Sequence, residues 1–518
     1  MCERFKNEPI VDFSNPENRK KMEDALQEVK SLYGKKYPLV IGGKEVWTKE
    51  KFESLNPSRP SEVVGVFCKA TEKEAELALK EAWRAFAKWQ FELPEKRAAL
   101  LFKSAELVRK KRFLFDAVLV LEVGKSWVEA DADVAEALDF LEYYAREALR
   151  LCASATVPQI PSEKSEMSYI PLGAGVVIPP WNFPCAILVG MTSSSIVVGN
   201  TVVLKPASDS PFIGWLFFEV LREAGLPDGV VNFLTGAGSI AGEFLVKHPK
   251  TRFVTFTGSK DVGARIYELA SRVQQGQIWL KRVIAEMGGK DAIIVDSEAE
   301  LDKAAAGVLA SAFGFQGQKC SACSRLILLD DIYDKFMAKF LPMVKKIVIG
   351  CPDEGPHVFL GPVINKVAEE KILRYIDIGK SEGELICGGS KVCKLEGHFI
   401  KPTVFDGVSP NARIAQEEIF GPVVAVIRAK NFDRAISIAN NTIYGLTGSV
   451  YTTNREKIER AKKMFHVGNL YFNRKCTGAL VGVHPFGGFN MSGTDSKAGG
   501  PDYLLLLTQA KSVSEIIA

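Results

Sequence analysis

The stretch GFQGQKCSACSR, residues 314–325, carries the most reactive side chains of the sequence, the thiols of Cys320 and Cys323. Two thiols at this spacing occur in zinc sites, in dithiol redox pairs and beside catalytic cysteines. A structural zinc site needs about four ligands, but neither a second close cysteine pair nor a cluster of histidines completes one here. A thioredoxin-like pair belongs near the first βαβ unit of a small domain, whereas this pair follows a predicted helix deep in the chain. No metal site is predicted, and two interpretations remain: an inert cysteine and a nucleophile.

Two further stretches could contribute to the same chemistry. PPWNFP, residues 179–184, follows the apolar run GVVI, so Asn182 is predicted at the carboxyl end of a strand, where open α/β sheets bind ligands. Its side-chain amide is a hydrogen-bond donor, although on this stretch alone a structural turn bounded by prolines is the better explanation. In AEMGGK, Glu286 ends an apolar run before two glycines that permit close approach. A glutamate there could be a general base, and alone it could equally be a solvated acid at a strand or helix end.

Two glycine-containing stretches were compared with phosphate-binding loops. TGAGSIAG, residues 235–242, resembles a dinucleotide fingerprint, but its glycine spacing is wrong, and a lone match of this kind is weak. FTGSKDVG, residues 256–263, is a predicted junction of strand, glycine and helix. The amino end of that helix could receive a phosphate group.

The elements that must position these residues follow an alternating pattern. From residue 172 the runs GAGVVI, TVVLKP, VVNFL and RFVTFTG predict strands, and the segments between them predict helices. One helix is clearly bounded, with Ser210 at the N-cap, Pro211 at the first helical position and Gly225 just past the end. The alternation restarts after Met287, where DAIIVD and SRLILLDD predict further strands. The pattern therefore predicts two α/β domains with mostly parallel sheets covered by helices on both faces.

Segments on either side of this alternation carry other patterns. Residues 71–90 and 93–126 predict amphipathic helices. The tail DYLLLLTQAKSVSEII is apolar enough to predict a strand that needs a partner. Such a strand usually pairs within a sheet or across a subunit boundary.

Composition excludes several classes of protein. The chain has 518 residues, 47% of them hydrophobic and 25% charged, which is typical of globular proteins of two or three domains. Its 66 basic and 62 acidic residues are well mixed, without a basic stripe that would predict binding to nucleic acid. Residues 167–204 contain no charge, but prolines and a polar run interrupt them, so we predict buried core rather than a membrane span. The first residues match neither a secretory signal nor a transit peptide, and ten cysteines without a repeating framework favour reduced thiols in the cytoplasm.

Seven motifs in order connect these observations: PWNFP, LKPA, FTGSKDVG, EMGGK, GQKCSACSR, QEEIFGPV and PFGGFNMSGT. With them the chain resembles the aldehyde dehydrogenase superfamily from about residue 37 to its end. The resemblance implies a Rossmann-like, doubly wound dinucleotide-binding domain, a second α/β catalytic domain and a small β oligomerisation arm. The expected divisions are a helical extension (1–36), the dinucleotide-binding domain (37–150 and 171–285), the catalytic domain (286–485) and the arm (151–170 and 486–518).

The resemblance also assigns catalytic roles. It makes Cys320 the nucleophile whose thiolate attacks an aldehyde to give a thiohemiacetal. The Asn182 amide and the backbone N–H of Cys320 would hold the oxyanion. After hydride transfer, Glu286 would activate the water that hydrolyses the thioester. Cys323 matches no catalytic position and is expected to be a packed neighbour, with a 320–323 disulfide conceivable under oxidation.

The expected cofactor is NAD, and NADP is expected to be used as well. By resemblance, Lys205 contacts the adenosine ribose, Gly258 and Ser259 lie near the pyrophosphate, and Glu418 holds the nicotinamide ribose. The remaining residues expected to line the groove are Ile178, Pro180, Trp181 and Phe420. Many relatives have a glutamate three residues after the lysine of LKPA, where it binds ribose hydroxyls. Here that residue is Ser208, so the charge that would repel a 2′-phosphate is missing.

Within the superfamily, FQGQKCSACSR, FLEYYAREALR and the segment 468–504 are similar to members that oxidise L-glutamate γ-semialdehyde. The resemblance implies that the backbone N–H groups of Gly478 and Ala479 bind the substrate carboxylate, with help from Ser321 and Lys319. Glu136 would help shape the same site. A homo-oligomer of at least two subunits and functional coupling to a proline dehydrogenase are also expected. The alternatives are an enzyme for another semialdehyde, such as succinic semialdehyde, and a protein on this scaffold that has lost its chemistry.

Overall fold

The computed structural model describes residues 4–152 and 157–517, so small parts of the predicted extension (1–3) and arm (153–156 and 518) lie outside the described residues. The α-helices are α1 Pro16–Ser31, α2 Glu72–Trp89, α3 Pro94–Lys110, α4 Arg112–Val123, α5 Trp127–Cys152, α6 Ala186–Val197, α7 Pro211–Ala224, α8 Glu243–Lys247, α9 Lys260–Ser271, α10 Leu301–Phe313, α11 Tyr333–Lys345, α12 Lys366–Glu382, α13 Arg413–Gln416, α14 Phe432–Asn440 and α15 Arg455–Met464. The strands of the first half are β1 Lys36–Tyr37, β2 Leu39–Ile41, β3 Lys44–Val46, β4 Lys51–Asn56, β5 Arg59–Cys68, β6 Glu163–Pro171, β7 Ala174–Ile178, β8 Thr201–Leu204, β9 Val231–Phe233, β10 Phe253–Thr257 and β11 Arg282–Glu286. Those of the second half are β12 Asp291–Val295, β13 Cys323–Leu329, β14 Glu384–Cys387, β15 Thr403–Asp406, β16 Val423–Ala429, β17 Tyr444–Gly445, β18 Thr447–Tyr451, β19 Asn469–Phe472, β20 Phe489–Asn490 and β21 Thr508–Ile516.

The first seven-stranded sheet has the order β11-β10-β7-β8-β9-β2-β3. The five strands from β11 to β9 are parallel, and β2 and β3 extend the sheet as an antiparallel edge. The central strands are almost wholly apolar and buried, as expected for strands covered by helices on both faces. Because these strands are parallel, the residues that follow β7, β8, β10 and β11 all lie at one edge of the sheet.

The second seven-stranded sheet has the order β14-β15-β16-β13-β12-β18-β19. All its neighbours are parallel except the edge pair β14 and β15. The predicted α/β fold with two mostly parallel sheets is confirmed.

A short link positions the two sheets for a shared site. Only residues 287–290 separate the end of β11 from the start of β12. The carboxyl edge of the first sheet therefore faces the amino edge of the second. Arg325, buried in β13, stabilises this link by donating a 2.8 Å hydrogen bond from Nε to the carbonyl of Lys290.

Two helical predictions differ in detail from the structure. The helix predicted from residue 93 to 126 is divided in two, because α3 ends at Lys110 and α4 begins at Arg112. The well-bounded helix is α7, with Pro211 at its start and Gly225 in the left-handed conformation (φ 101°) past its end. Its N-cap residue, Ser210, makes no capping hydrogen bond with its side chain.

The tail is only partly the predicted strand. Residues Tyr503–Leu507 form a 3₁₀ helix, because Tyr503, Leu504 and Leu507 are buried in the core beside α5 and α6. The strand β21 follows and pairs along nine residues with β6, antiparallel, in an otherwise exposed two-stranded ribbon. No helix in the described part of the chain is both long and apolar enough to cross a membrane. The division into domains and the role of the ribbon as an arm stay predictions.

Candidate active site

A pocket with a volume of about 110 Å³, partly open to solvent, lies between the facing edges of the two sheets. Helices α5 and α6 form one wall, and the segment after β19 forms another. The residues that line it are Glu136, Phe140, Tyr144, Phe183, Ile187, Gly190, Met191, Thr257, Glu286, Met287, Cys320, Ser321, Gly478, Ala479, Phe486, Ala498 and Tyr503. The structure thus brings Cys320 and Glu286 together with four of the five predicted substrate residues.

The loop that carries the thiol has an uncommon backbone. After α10, three consecutive residues, Phe315, Gln316 and Gly317, have left-handed φ angles of 47°, 57° and 66°. This conformation costs a non-glycine residue roughly 1–2 kcal/mol. Gln316 stabilises it, since its Nε2 donates to the carbonyls of Gly124 (3.0 Å) and Pro362 (2.8 Å) and its Oε1 accepts the N–H of Gly361 (3.1 Å).

Cys320 follows this loop and is partly exposed to the pocket. Asn182 is buried beside the loop, and its Nδ2 donates a 3.0 Å hydrogen bond to the carbonyl of Gln318, which leaves one amide hydrogen for a ligand. Burial, followed by the charges of Asp291, Glu418 and Glu286, raises the pKa of the Cys320 thiol. The other thiol, Cys323, is buried at the start of β13, where its Sγ lies 3.6 Å from the carbonyl oxygen of Arg325, and it does not line the pocket.

Glu286 is the last residue of β11, and its carboxyl group is bound on both oxygens. Its Oε2 accepts the backbone N–H of Gly488 at 3.2 Å, and its Oε1 accepts a short hydrogen bond from the hydroxyl of Ser496. Burial raises the pKa of Glu286 to about 8, although both hydrogen bonds oppose that rise. The group can therefore exchange a proton close to neutral pH.

The lining of the pocket also includes a second acid and a backbone turn. Burial, and then the charge of Asp133, raises the pKa of Glu136 to about 8. Gly478 has a left-handed φ of 73°, and it lies in residues 477–482, which we call the anchor turn. Arg474 supports the turn by donating to the carbonyls of Thr477 (3.0 Å) and Gly478 (2.7 Å).

Lys319 is the predicted substrate residue that does not line this pocket. Its ammonium group lies 2.7 Å from each carboxylate oxygen of Glu129. Although burial alone would raise the pKa of Glu129, the charge and hydrogen bond of Lys319 hold it below its ordinary value. Lys319, the residue before the thiol, thus forms a partly buried ion pair with Glu129.

The predicted cofactor residues lie at the same two sheet edges. Those on the first sheet lie at the end of β7 or follow β7, β8 and β10, and they are Ile178, Pro180, Trp181, Lys205, Ser208, Gly258 and Ser259. On the second sheet, Glu418 accepts the N–H of Gly289 at 3.1 Å, and burial raises its pKa. Phe420 has a left-handed φ of 62° and contacts Trp181 edge to face, with ring centroids 5.5 Å apart.

Three observations fit a dinucleotide along this edge. Lys205 is buried, its ammonium group has no hydrogen-bond or ion-pair partner among the described residues, and burial lowers its pKa to about 8. Ser259 caps α9, a twelve-residue helix whose amino end faces outward and suits a phosphate group. Ser208 is exposed, so it can meet a ligand without rearrangement.

Sequence reasoning missed Ser496 and Gly488, the two partners of Glu286. Gly488 lies within the motif PFGGFNMSGT, and Ser496 lies two residues after the end of that motif. Nothing in the sequence links either residue to a carboxylate 202 or 210 positions earlier. It also missed the apolar lining from α6. Across residues 4–152 and 157–517, no three His, Cys, Asp or Glu side chains come together as they would around a metal ion.

Comparisons with known proteins agree with this geometry. The model of the aldehyde dehydrogenase family matches residues 46–513. A protein of Geobacillus sp. (strain WCH70) named 1-pyrroline-5-carboxylate dehydrogenase is 57% identical over 516 residues, covering 100% of both chains. The crystal structure of 1-pyrroline-5-carboxylate dehydrogenase from Thermus with bound NAD is 55% identical and superposes with a TM-score of 0.98 over 100% of both chains. A structure of proline utilization A from Bdellovibrio bacteriovorus is 46% identical with a TM-score of 0.97 and covers 99% of this chain but 53% of its own. The chain belongs to the aldehyde dehydrogenase family.

Proposed function

We propose that this protein oxidises L-glutamate γ-semialdehyde, the open form of 1-pyrroline-5-carboxylate, to L-glutamate with NAD. The observation that carries the proposal is the pocket itself, whose lining combines the Cys320 thiol with the acid Glu136 and the anchor turn. This substrate has an aldehyde at one end and an α-carboxylate and α-ammonium group at the other. Two relatives named 1-pyrroline-5-carboxylate dehydrogenase support the same substrate. They come from Geobacillus and Thermus and are 57% and 55% identical to this chain.

The substrate lies with its charged end against the anchor turn. The backbone N–H groups of Gly478 and Ala479, together with the hydroxyl of Ser321, donate to the α-carboxylate. Glu136 faces the α-ammonium group, which favours the ionised form of this acid. Lys319 acts from behind, by holding Glu129 and the thiol loop in place.

Cys320 performs the chemistry at the other end. The Cys320 thiol first gives its proton to water, and the resulting thiolate attacks the aldehyde carbon. The negative charge on the former carbonyl oxygen is held by the Cys320 N–H and the remaining amide hydrogen of Asn182. A preorganised donor of this kind contributes about 3 kcal/mol to the transition state. Hydride loss from the thiohemiacetal carbon leaves a thioester on Cys320. Glu286 then takes a proton from the attacking water, and the thiolate leaves as L-glutamate forms.

When bound, the oxidised nicotinamide supplies the hydride acceptor. Lys205 and Ser208 hold the adenosine ribose, and Gly258 and Ser259 hold the pyrophosphate at the amino end of α9. Glu418 and Phe420 position the nicotinamide ribose, with Ile178, Pro180 and Trp181 along the groove. The observation that best supports this placement is the buried ammonium group of Lys205, which has no hydrogen-bond or ion-pair partner in the described part of the chain.

Three wider proposals accompany the reaction. The β6–β21 ribbon leaves backbone edges exposed, which supports its role as an arm that pairs with another subunit. A reduced nucleophilic cysteine suits the cytoplasm. The similarity to a protein named proline utilization A supports functional coupling to a proline dehydrogenase.

A panel of aldehydes tests the substrate. Reduced-cofactor formation is measured with L-glutamate γ-semialdehyde, succinic semialdehyde and pentanal, which has the same number of carbons but no charged end. We expect kcat/KM for L-glutamate γ-semialdehyde to exceed the other two at least tenfold. Equal efficiency with succinic semialdehyde would favour the alternative semialdehyde enzyme.

A further inference from the structure

Residues 5–11, which we call the N-terminal strap, lie outside the part of the chain matched by the family model, which begins at residue 46. They run across α5 and reach the anchor turn. Within the described residues, none of the hydrogen bonds of the strap reaches Cys320, Asn182 or Glu286. Their contacts, however, join two walls of the substrate pocket from behind.

The strap is bound to two acids on α5. Both oxygens of Asp139 accept 2.7 Å hydrogen bonds from it, one from Asn7 Nδ2 and one from the backbone N–H of Glu8. Further along, the N–H of Val11 donates to Asp131 at 2.7 Å. Eight helical residues span about 12 Å, and the three residues from Glu8 to Val11 span about 10 Å when extended. The strap therefore matches the spacing of the acids and runs antiparallel to α5.

The same strap contacts the anchor turn. The second amide hydrogen of Asn7 is donated to the carbonyl of Val481 at 3.0 Å. The ring of Phe5 meets Tyr143 edge to face, with centroids 5.2 Å apart. A Cβ atom at Gly482 would lie only 2.9 Å from Tyr143 and 3.1 Å from Phe5, so the turn fits closely against both rings.

The geometry of α5 links these contacts to the pocket. Glu136, Phe140 and Tyr144 recur every four residues and line the pocket. Asp139 and Tyr143 are their immediate neighbours on the helix and face the strap. The amide group of Asn7 therefore connects the helix that carries Glu136 with the turn that carries Gly478 and Ala479.

We propose that Asn7 is a positioning residue that sets the separation between Glu136 and the anchor turn, and thereby selects substrates with an α-amino-acid end. The inference rests on the proposed function, because only such a substrate has charged groups for both walls at once. Loss of the hydrogen bonds of Asn7 weakens binding of the charged end of the substrate. It leaves the aldehyde end, which is held near Cys320, unchanged.

The test compares Asn7→Ala with the wild type on L-glutamate γ-semialdehyde and on pentanal. We expect KM for the semialdehyde to rise about tenfold with kcat nearly unchanged, and kcat/KM for pentanal to stay within about twofold. The matched control is Asn18→Ala, since within residues 4–152 and 157–517 the Asn18 side-chain amide bonds only to the nearby backbone carbonyl of Asp12. The control should behave as the wild type on both substrates.

Other outcomes separate the two proposals. If the wild type shows no preference for the semialdehyde over pentanal, the proposed function fails. If that preference exists and Asn7→Ala keeps it, or loses activity equally on both substrates, the positioning role is overturned. If Asn7→Ala melts below the assay temperature, Phe5→Leu, a milder change in the same strap, decides by the same ratio of the two substrates.

Discussion

Replacing Ser496 with alanine removes the hydroxyl group that donates a hydrogen bond to Glu286. That bond favours the ionised carboxylate and opposes burial, which raises the pKa of Glu286 to about 8. A hydrogen bond to a charged group contributes roughly 1.5–3 kcal/mol, and one pKa unit corresponds to about 1.36 kcal/mol. The pKa of Glu286 in Ser496→Ala is therefore expected to be about one to two units higher.

This shift has a defined effect on thioester hydrolysis, because only the ionised carboxylate can take a proton from water. With a pKa of about 8, about one tenth of the carboxyl groups are ionised at pH 7. A rise of one unit leaves about one hundredth, so hydrolysis at pH 7 should slow about tenfold. The loss should shrink as the pH rises toward the new pKa.

Rapid mixing with saturating substrate separates the two steps. The first burst of reduced cofactor reports thiol attack and hydride transfer, and the later steady rate reports hydrolysis. We expect the pH midpoint of the steady rate to move upward while the burst keeps its own profile. Ser104→Ala is the matched control, because Ser104 is a buried serine in α3 whose hydroxyl, among the described residues, bonds to the carbonyl of Leu100 alone. A midpoint that stays in place in Ser496→Ala, with the protein folded, would refute this account of Glu286.

Three further predictions concern the thiols, the cofactor and the ribbon. Cys320→Ala should abolish turnover while Cys323→Ala keeps most of it, and equal loss in two folded variants would contradict the assignment of the nucleophile. Ser208→Glu should lower kcat/KM with NADP far more than with NAD, because a carboxylate beside a 2′-phosphate costs on the order of 1–4 kcal/mol in a partly exposed groove. Wild-type rejection of NADP by several orders of magnitude would show that another residue controls the choice. Deleting residues 508–517 should convert an oligomer to monomers or aggregates, as measured by sedimentation. A full-length protein that sediments as a monomer would exclude the proposed role of the ribbon as an oligomerisation arm.

Local patterns in the sequence predicted much of the fold. The runs GAGVVI, TVVLKP and RFVTFTG correspond to β7, β8 and β10. Such strands can be predicted because the hydrophobic pattern and the residues that bound it are visible within a short segment. The order of these strands in the sheet could not be predicted from such local patterns. β10 lies beside β7, with β8 and β9 on the other side, and the edge is completed by β2 and β3 from far earlier in the chain. Pairings over such distances depend on the packing of the whole domain.

The candidate site shows the same limit. Motifs located Cys320, Glu286 and Asn182, but the hydrogen bond from Ser496 to Glu286 joins residues 210 positions apart. The contacts of Asn7 with Asp139 and Val481 span 132 and 474 positions. Nothing about an isolated asparagine near the amino terminus indicates such partners. These contacts form only in the folded chain, and the hydrophobic periodicity of the sequence does not indicate them.

The left-handed turn before Cys320 has a consequence for protein engineering. Two non-glycine residues hold φ angles that an isolated peptide avoids, and they do so because Gln316 is bound to three backbone groups in two other segments. The free energy that maintains the turn therefore comes from residues 124, 361 and 362, not from the turn itself. A graft of residues 314–325 onto another scaffold would carry the thiol but not its orientation. The loop that carries Cys320 is therefore not expected to keep its conformation on its own. A transferred segment must include the backbone groups that Gln316 binds.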